Sequence, residues 1–164
     1  MTTASNFLSN NEVIALAQKI HTNQLDKAGN DYFTSHIEDV VSRLPKNAKN
    51  YLIQAAYLHD SIEDTEATKE SLAKEGISPE VIALVVELTH LPGEVRDDYI
   101  KRLSYRALLV KYADNNSNGD PKRLNKIIDQ ETRTRLKAKY QREKLLIENR
   151  IAEFEMNDRE GIYS

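Results

Sequence analysis

The sequence predicts an all-α fold: a compact, single-domain helical bundle spanning residues 1–164. Three observations carry that expectation. No segment alternates apolar and polar side chains over strand length, whereas apolar residues recur repeatedly at helical spacing. Chain punctuation is sparse, with five glycines and four prolines in 164 residues. Helix-start signatures stand directly ahead of the apolar stripes. A chain that is 40% hydrophobic and 30% charged is neither a disordered tail nor a fibrous repeat, and it is long enough to bury a core unaided.

The elements follow in order. Ser9 and Glu12 stand three apart, as in a capping box, and Val13, Ile14, Leu16, Ala17 and Ile20 give the first helix its stripe, which stops near Gln24. Residues 26–31 are polar and turn-like. A second helix starts at Thr34 or Ser35, carries Ile37, Val40, Val41 and Leu44, and is closed by Pro45. The third, over 48–59, is apolar nearly all round and therefore central. A short helix follows Thr68 and ends before Gly76. The run 81–86 has strand composition. Ser78-Pro79-Glu80 ahead of it is a helix start, however, and the run extends through Leu88, so a helix is preferred. Leu91-Pro92-Gly93 is a loop. One helix is expected over 97–111, a broken polar segment over 115–121, and a long charged helix over 131–154. That last helix has an imperfect stripe of Leu136, Tyr140, Leu145, Leu146, Ile147, Ile151 and Phe154. The core is expected over about 10–128, with 129–156 packing on it and the tail after Met156 fraying.

Composition removes several function classes. The absence of cysteine excludes a disulfide framework, a zinc finger, an iron–sulfur site and a cysteine nucleophile. A net charge of -3 argues against a protein that grips many nucleic-acid phosphates. The stretch 122–150 is nonetheless basic. It reads as an amphipathic helix covering the core rather than a nucleic-acid face, because aromatics beyond Tyr140 are missing from it. Its Leu145, Leu146, Ile147 and Ile151 leave a homo-oligomer open. No apolar run is long enough to span a membrane, and residues 1–9 lack the pattern of a secretory signal, so a cytoplasmic location is expected.

Of the four histidines, His21, His36, His59 and His90, the most informative is His59. It closes the most apolar helix and is followed at once by Asp60. A buried imidazole beside a carboxylate needs a partner, and a divalent ion would serve. Glu63 and Asp64 come one helical turn later. A second acid, Asp114, ends an apolar run and is followed by Asn115, Asn116 and Asn118. A site of His36, His59, Asp60 and Asp114 mixes nitrogen and oxygen donors, which suits Mn²⁺, Fe²⁺, Co²⁺, Ni²⁺ or Zn²⁺. Plainer alternatives stand beside these. His21 also reads as a surface helix residue, His90 as structural, and Lys111 as the neutraliser of Asp114. Arg96, Lys101, Arg102 and Arg106 read as a solvated helix face or a phosphate-binding rim.

Four blocks then carry a resemblance. They are His21, Gln24, Lys27, Gly29, Tyr32 and His36; the run 55–65 with His59-Asp60 and Glu63-Asp64; Val85-Val86-Glu87-Leu88-Thr89; and Val110-Lys111-Tyr112-Ala113-Asp114 with Asn118. In this order and spacing, over about 12–128, the chain resembles the HD-domain metal-dependent phosphohydrolases. Within them it is most similar to the small stand-alone alarmone-hydrolase branch, which removes the 3′-pyrophosphate of (p)ppGpp.

The resemblance implies one divalent ion, Mn²⁺ foremost, with Mg²⁺ added to the ions named above, on His36, His59, Asp60 and Asp114. It implies that Glu63 and Asp64 position or deprotonate the attacking water and that Asn118 supports the centre. Lys27 falls near the substrate phosphates and His21 near the nucleotide; Lys111 and Arg106 are further substrate-binding candidates. The family's usual Arg-Lys pair is here Asp26-Lys27, which implies a negative charge facing the phosphates. Its more apolar turn after the aspartate is here Asn115-Asn116-Ser117. The expected function is hydrolysis of a nucleotide, with (p)ppGpp as substrate. The competitors are a nucleotidase or pyrophosphatase for another small nucleotide, or a non-catalytic module binding a nucleotide or a partner.

Overall fold

The computed structural model describes residues 6–159. Among these, the chain forms α1 (Asn10–Ile20), a π-helical turn (Phe33–Ile37) that runs into α2 (Glu38–Ser42), α3 (Asn50–Leu58), α4 (Ser61–Asp64), α5 (Lys69–Glu75), α6 (Pro79–Leu88), α7 (Arg96–Arg102), α8 (Tyr105–Asn118), α9 (Pro121–Leu124) and α10 (Gln130–Arg159). No strand occurs among the described residues; an isolated bridge between Leu25 and Asp31 closes the intervening turn. None of these helices is long and apolar enough to cross a membrane.

The start of α1 is the capping box expected from sequence: Ser9 Oγ accepts from the Glu12 amide at 3.3 Å, and Glu12 Oε2 accepts from the Ser9 amide at 2.7 Å. The helix ends earlier than its stripe suggested, with His21 as C-cap. In the turn that follows, Asp26 Oδ1 accepts from the amides of Ala28 and Asn30, both at 2.9 Å, and Gly29 takes φ 84. The chain then re-enters helix through five residues of π geometry, in which Phe33, His36 and Ile37 are all buried.

α3 is the central element, packing on α1, α2, α6 and α8. It buries Leu52, Ala55, Ala56 and Leu58, and its buried Gln54 donates to Asn10 Oδ1 at 2.8 Å. The 81–86 run is helical, as its start signature indicated: Ser78 Oγ caps α6 at Val81 and Pro79 occupies the first turn. α5 ends at Gly76, whose φ of 100 is the left-handed cap that favours glycine.

Four expectations are corrected. The helix expected over 97–111 is two helices, because Glu87 of α6 accepts hydrogen bonds from both the amide and the hydroxyl of Ser104, and Ser104 Oγ in turn caps α8 at Ala107. The polar segment 115–121 is helical through Asn118, since its side chains are satisfied inside the protein: Asn115 Nδ2 donates to Tyr140 O at 2.9 Å, and Ser117 Oγ meets His36. In α10, Leu136 and Ile147 are buried but Leu145 is 62% exposed, and the inward position is held instead by Glu143, paired to Arg96 at 2.8 Å. The end of α8 lies so close to α10 that a Cβ on Gly119 would stand 2.9 Å from Tyr140 Cβ. The tail expected to fray after Met156 is helical to Arg159; residues 160–164, and the first five of the 1–9 segment, lie outside the described residues.

Candidate metal centre

Three elements deliver four side chains to one point. The joint between α3 and α4 supplies two of them, with His59 as the C-cap of α3 and Asp60 as the N-cap of α4. The Asp64 amide closes the joint on Asp60 O at 2.9 Å. The π-helical turn supplies His36, and the middle of α8 supplies Asp114. One donor atom from each of His36, His59, Asp60 and Asp114 lies within 4.8 Å of the others. His36 Nε2 is 3.0 Å from Asp114 Oδ1 and 3.5 Å from Asp60 Oδ2; His59 Nε2 is 3.3 Å and 3.1 Å from the same atoms.

These donors fit a divalent ion. Donor atoms about 2.1 Å from a common ion are about 3.0–3.4 Å apart in octahedral or tetrahedral geometry, close to the spacing here. Both imidazoles are turned the right way. His59 Nδ1 donates to Ala56 O at 2.6 Å and His36 Nδ1 meets Ser117 Oγ at 3.1 Å, so each Nε2 faces the centre. His36 Nε2 is buried and has no well-aligned hydrogen-bond partner.

The electrostatics point the same way. Burial opposes the charged forms, yet Asp60, through His59 and His36, and Asp114, through Lys111 and both histidines, are held well below the usual carboxylate range. His59 is likewise opposed by burial, but the two carboxylates raise it well above the ordinary value. Such a cluster favours positive charge at its centre. Lys111 Nζ takes the outer oxygen of Asp114 at 2.6 Å, and Asn118 Nδ2 donates to its inner oxygen at 3.0 Å, orienting the carboxylate. Tyr32, one turn before His36, donates to Asp60 Oδ2 at 2.5 Å.

Above the cluster opens a cleft of about 500 Å³ lined by Lys27, Glu63, Asp64, Arg96, Lys111 and Arg123, among others. Glu63 Oε1 is held by the His90 amide at 2.7 Å. Burial and the charges of Asp60 and Glu63 push the Asp64 carboxyl up to about 6.

The sequence-derived site residues fall into two groups. His36, His59, Asp60, Asp114, Glu63, Asp64, Asn118, Lys27 and Lys111 converge on the cluster or its cleft. His21 and Arg106 do not line the cleft, although His21 stands close enough to feel the charges of Asp60, His59 and His36. His21 is 1% exposed, meets Gln24 Oε1 at 2.7 Å and sits behind the Tyr32 ring, while Arg106 pairs with Glu80 at 3.1 Å over the Tyr51 ring. Asp26 also differs from expectation. Its carboxylate is turned into its own turn and onto Ser35 Oγ at 2.9 Å, with Arg123 at 3.9 Å, so it braces the backbone of a turn that also lines the cleft. Arg96, read from sequence as a helix face or a phosphate-binding rim, lines the cleft. Arg123 and Tyr140 were given no site role from sequence, and Tyr32 stood only in the first matching block, four residues before His36.

No family model matches the chain, and no curated protein matches it. Among solved structures, it is similar to one described as a metazoan ortholog of SpoT that hydrolyzes ppGpp and plays a role in starvation responses. That likeness has a TM-score of 0.68 at 23% identity and covers 98% of each chain. The shared all-α fold is the HD type expected from the four sequence blocks.

Proposed function

We propose that this chain is a metal-dependent phosphohydrolase acting on a nucleotide, and that it removes the 3′-pyrophosphate of (p)ppGpp. The observation that carries the proposal is the quartet of donor atoms, with histidine-to-carboxylate distances of 3.0–3.5 Å, in a cleft that Lys27, Arg96, Lys111 and Arg123 also line. His36, His59, Asp60 and Asp114 would hold one divalent ion, Mn²⁺ by the family resemblance. When bound, such an ion supplies Lewis acidity and acidifies water.

The remaining chemistry belongs to the chain's own residues. Asp64, with a carboxyl raised to about 6, is matched to accept a proton near neutral pH. Glu63, pinned through the His90 amide, would orient the attacking water. Lys27, Arg96 and Arg123 offer positive charge to the phosphates. Lys111 neutralises Asp114 and keeps its inner oxygen aimed at the centre. Tyr32 does the same for Asp60.

The test is a turnover assay with Mn²⁺ over ppGpp, pppGpp and simple nucleoside mono-, di- and triphosphates, with Asp60→Ala as control. Release of pyrophosphate from ppGpp, lost in the control, is the expected result. Cleavage of another nucleotide alone would keep the hydrolase and discard the alarmone substrate. Silence across the panel would contradict both.

A further inference from the structure

The inward seam of α10 runs Leu136, Tyr140, Glu143 and Ile147, at i, i+4, i+7 and i+11. Leu136 and Ile147 are buried apolar residues, and Glu143 stands between them at 2% exposure. A carboxylate in such a seam is costly to desolvate, and a buried ion pair is seldom a net gain over apolar packing. Nor do α7 and α10 lack other ties. Arg142 reaches Asp97 at 2.8 Å, and Arg150 reaches Lys101 O at 3.3 Å. The acid is therefore to be explained by what it holds.

It holds Arg96, whose Nε donates to Glu143 Oε1 at 2.8 Å. The guanidinium carbon also stands 5.6 Å from the centre of the Tyr99 ring, so carboxylate and ring fix it from two directions. Arg102, also on α7 and 5.0 Å from the same ring, is the contrast. All its nitrogens brace the neighbouring chain: Nε and Nη2 on Glu94, Nη1 on Glu87 O, Nη2 on Thr89 O. Arg96 spends only Nε; among the described residues its terminal nitrogens have no hydrogen-bond partner. Its charge feels Glu63 and is felt by Lys111, both residues of the cleft, which puts the charged head itself on the cleft side. Arg96 and Glu63 also line a neighbouring hollow of about 630 Å³, so the guanidinium stands where the two spaces meet. A planar fork tethered through Nε keeps its terminal N–H groups for a phosphate, with little rotamer freedom left to lose.

We propose that Glu143 is a positioning residue for substrate: it holds the Arg96 guanidinium at the cleft so that the terminal nitrogens bind a substrate phosphate. The inference rests on the hydrolase reading for the choice of ppGpp as ligand.

Two readouts on the full chain test it. Calorimetric titration with ppGpp in EDTA measures binding without turnover, and turnover of ppGpp with Mn²⁺ gives KM and kcat. Arg96→Ala should weaken binding about tenfold, the loss expected from one charge-assisted contact. Glu143→Leu should weaken it about three- to tenfold and raise KM with kcat unchanged. Glu143→Ala makes the same removal without adding bulk, and Glu143→Gln, which keeps an acceptor for Nε, should restore most of the affinity. The loss in Arg96→Ala/Glu143→Leu should be no greater than in Arg96→Ala alone, because Glu143 acts only through Arg96. Losses that add in the double variant would overturn the proposal. So would parental affinity in Glu143→Leu and Glu143→Ala, or a lower urea midpoint and kcat in them with KM unchanged, the mark of a merely structural acid. Absence of ppGpp binding to the parent at millimolar concentration would overturn it too. Binding without turnover would sink the hydrolase proposal and leave this one standing; turnover with binding indifferent to Glu143 would do the reverse.

Discussion

Ser117 illustrates how a side chain that touches no substrate can govern the centre. Its hydroxyl is the group that meets His36 Nδ1, in a site where His36 is fully buried. Ser117→Ala should therefore leave the fold intact by circular dichroism and weaken Mn²⁺ binding by about 10–100-fold, as removal of such outer partners generally does. An unchanged affinity would show that packing alone orients the ring. Asp64 carries a pH prediction. Its pKa is raised to about 6, and the residue accepts a proton only when ionised, so activity should fall as pH drops through that value. A bound divalent cation draws the limb lower, never higher. Asp64→Asn should remove most of the activity together with the limb; a limb that survives would belong to another group. At this scale the sequence was most legible where two ionisable residues are adjacent, as in His59-Asp60. It was least legible where partners are distant in the chain: nothing local to Asp26 announced Arg123, 3.9 Å from its carboxylate.

Helix periodicity located nearly every element but not the seams between them. Leu103 is 1% exposed and continues the stripe from α7 into α8, so nothing in the local pattern marks the break that Glu87 imposes from another helix. Residues 115–118 failed in the opposite sense. Polarity there signals a loop only if the side chains face water, and these face Tyr140, His36 and Asp114. The π-helical turn at Phe33–Ile37 had no sequence signal either, yet it buries His36. The α8–α10 contact gives the clearest test at this scale. A Cβ on Gly119 meets Tyr140 Cβ at 2.9 Å and Asn115 O at 3.2 Å, neither of which is the end of a flexible side chain. Gly119→Ala should destabilise the protein by about 1–3 kcal/mol, read as a lower urea midpoint. A midpoint at or above that of the parent would mean that α10 can move away freely.

Across the molecule, the cleft mixes both signs of charge. Lys27, Arg96, Lys111 and Arg123 line it together with Asp26, Asp60, Glu63, Asp64 and Asp114. That mixture was not legible in the net charge of -3, because these residues reach the cleft from different elements. What the sequence did show was the ordered set of four blocks, and the first, second and fourth supply the cluster although His36 and Asp114 stand far apart in the chain. The central claim is that His36, His59, Asp60 and Asp114 together hold one divalent ion. Its most direct test is Mn²⁺ titration of the full chain after removal of bound metal, counting sites by paramagnetic resonance, beside Asp60→Ala and His59→Gln. One site per chain, lost in both variants while circular dichroism shows them folded, is the predicted result. A folded parent chain that binds no Mn²⁺ at millimolar concentration, or variants that bind it as the parent does, would contradict the account.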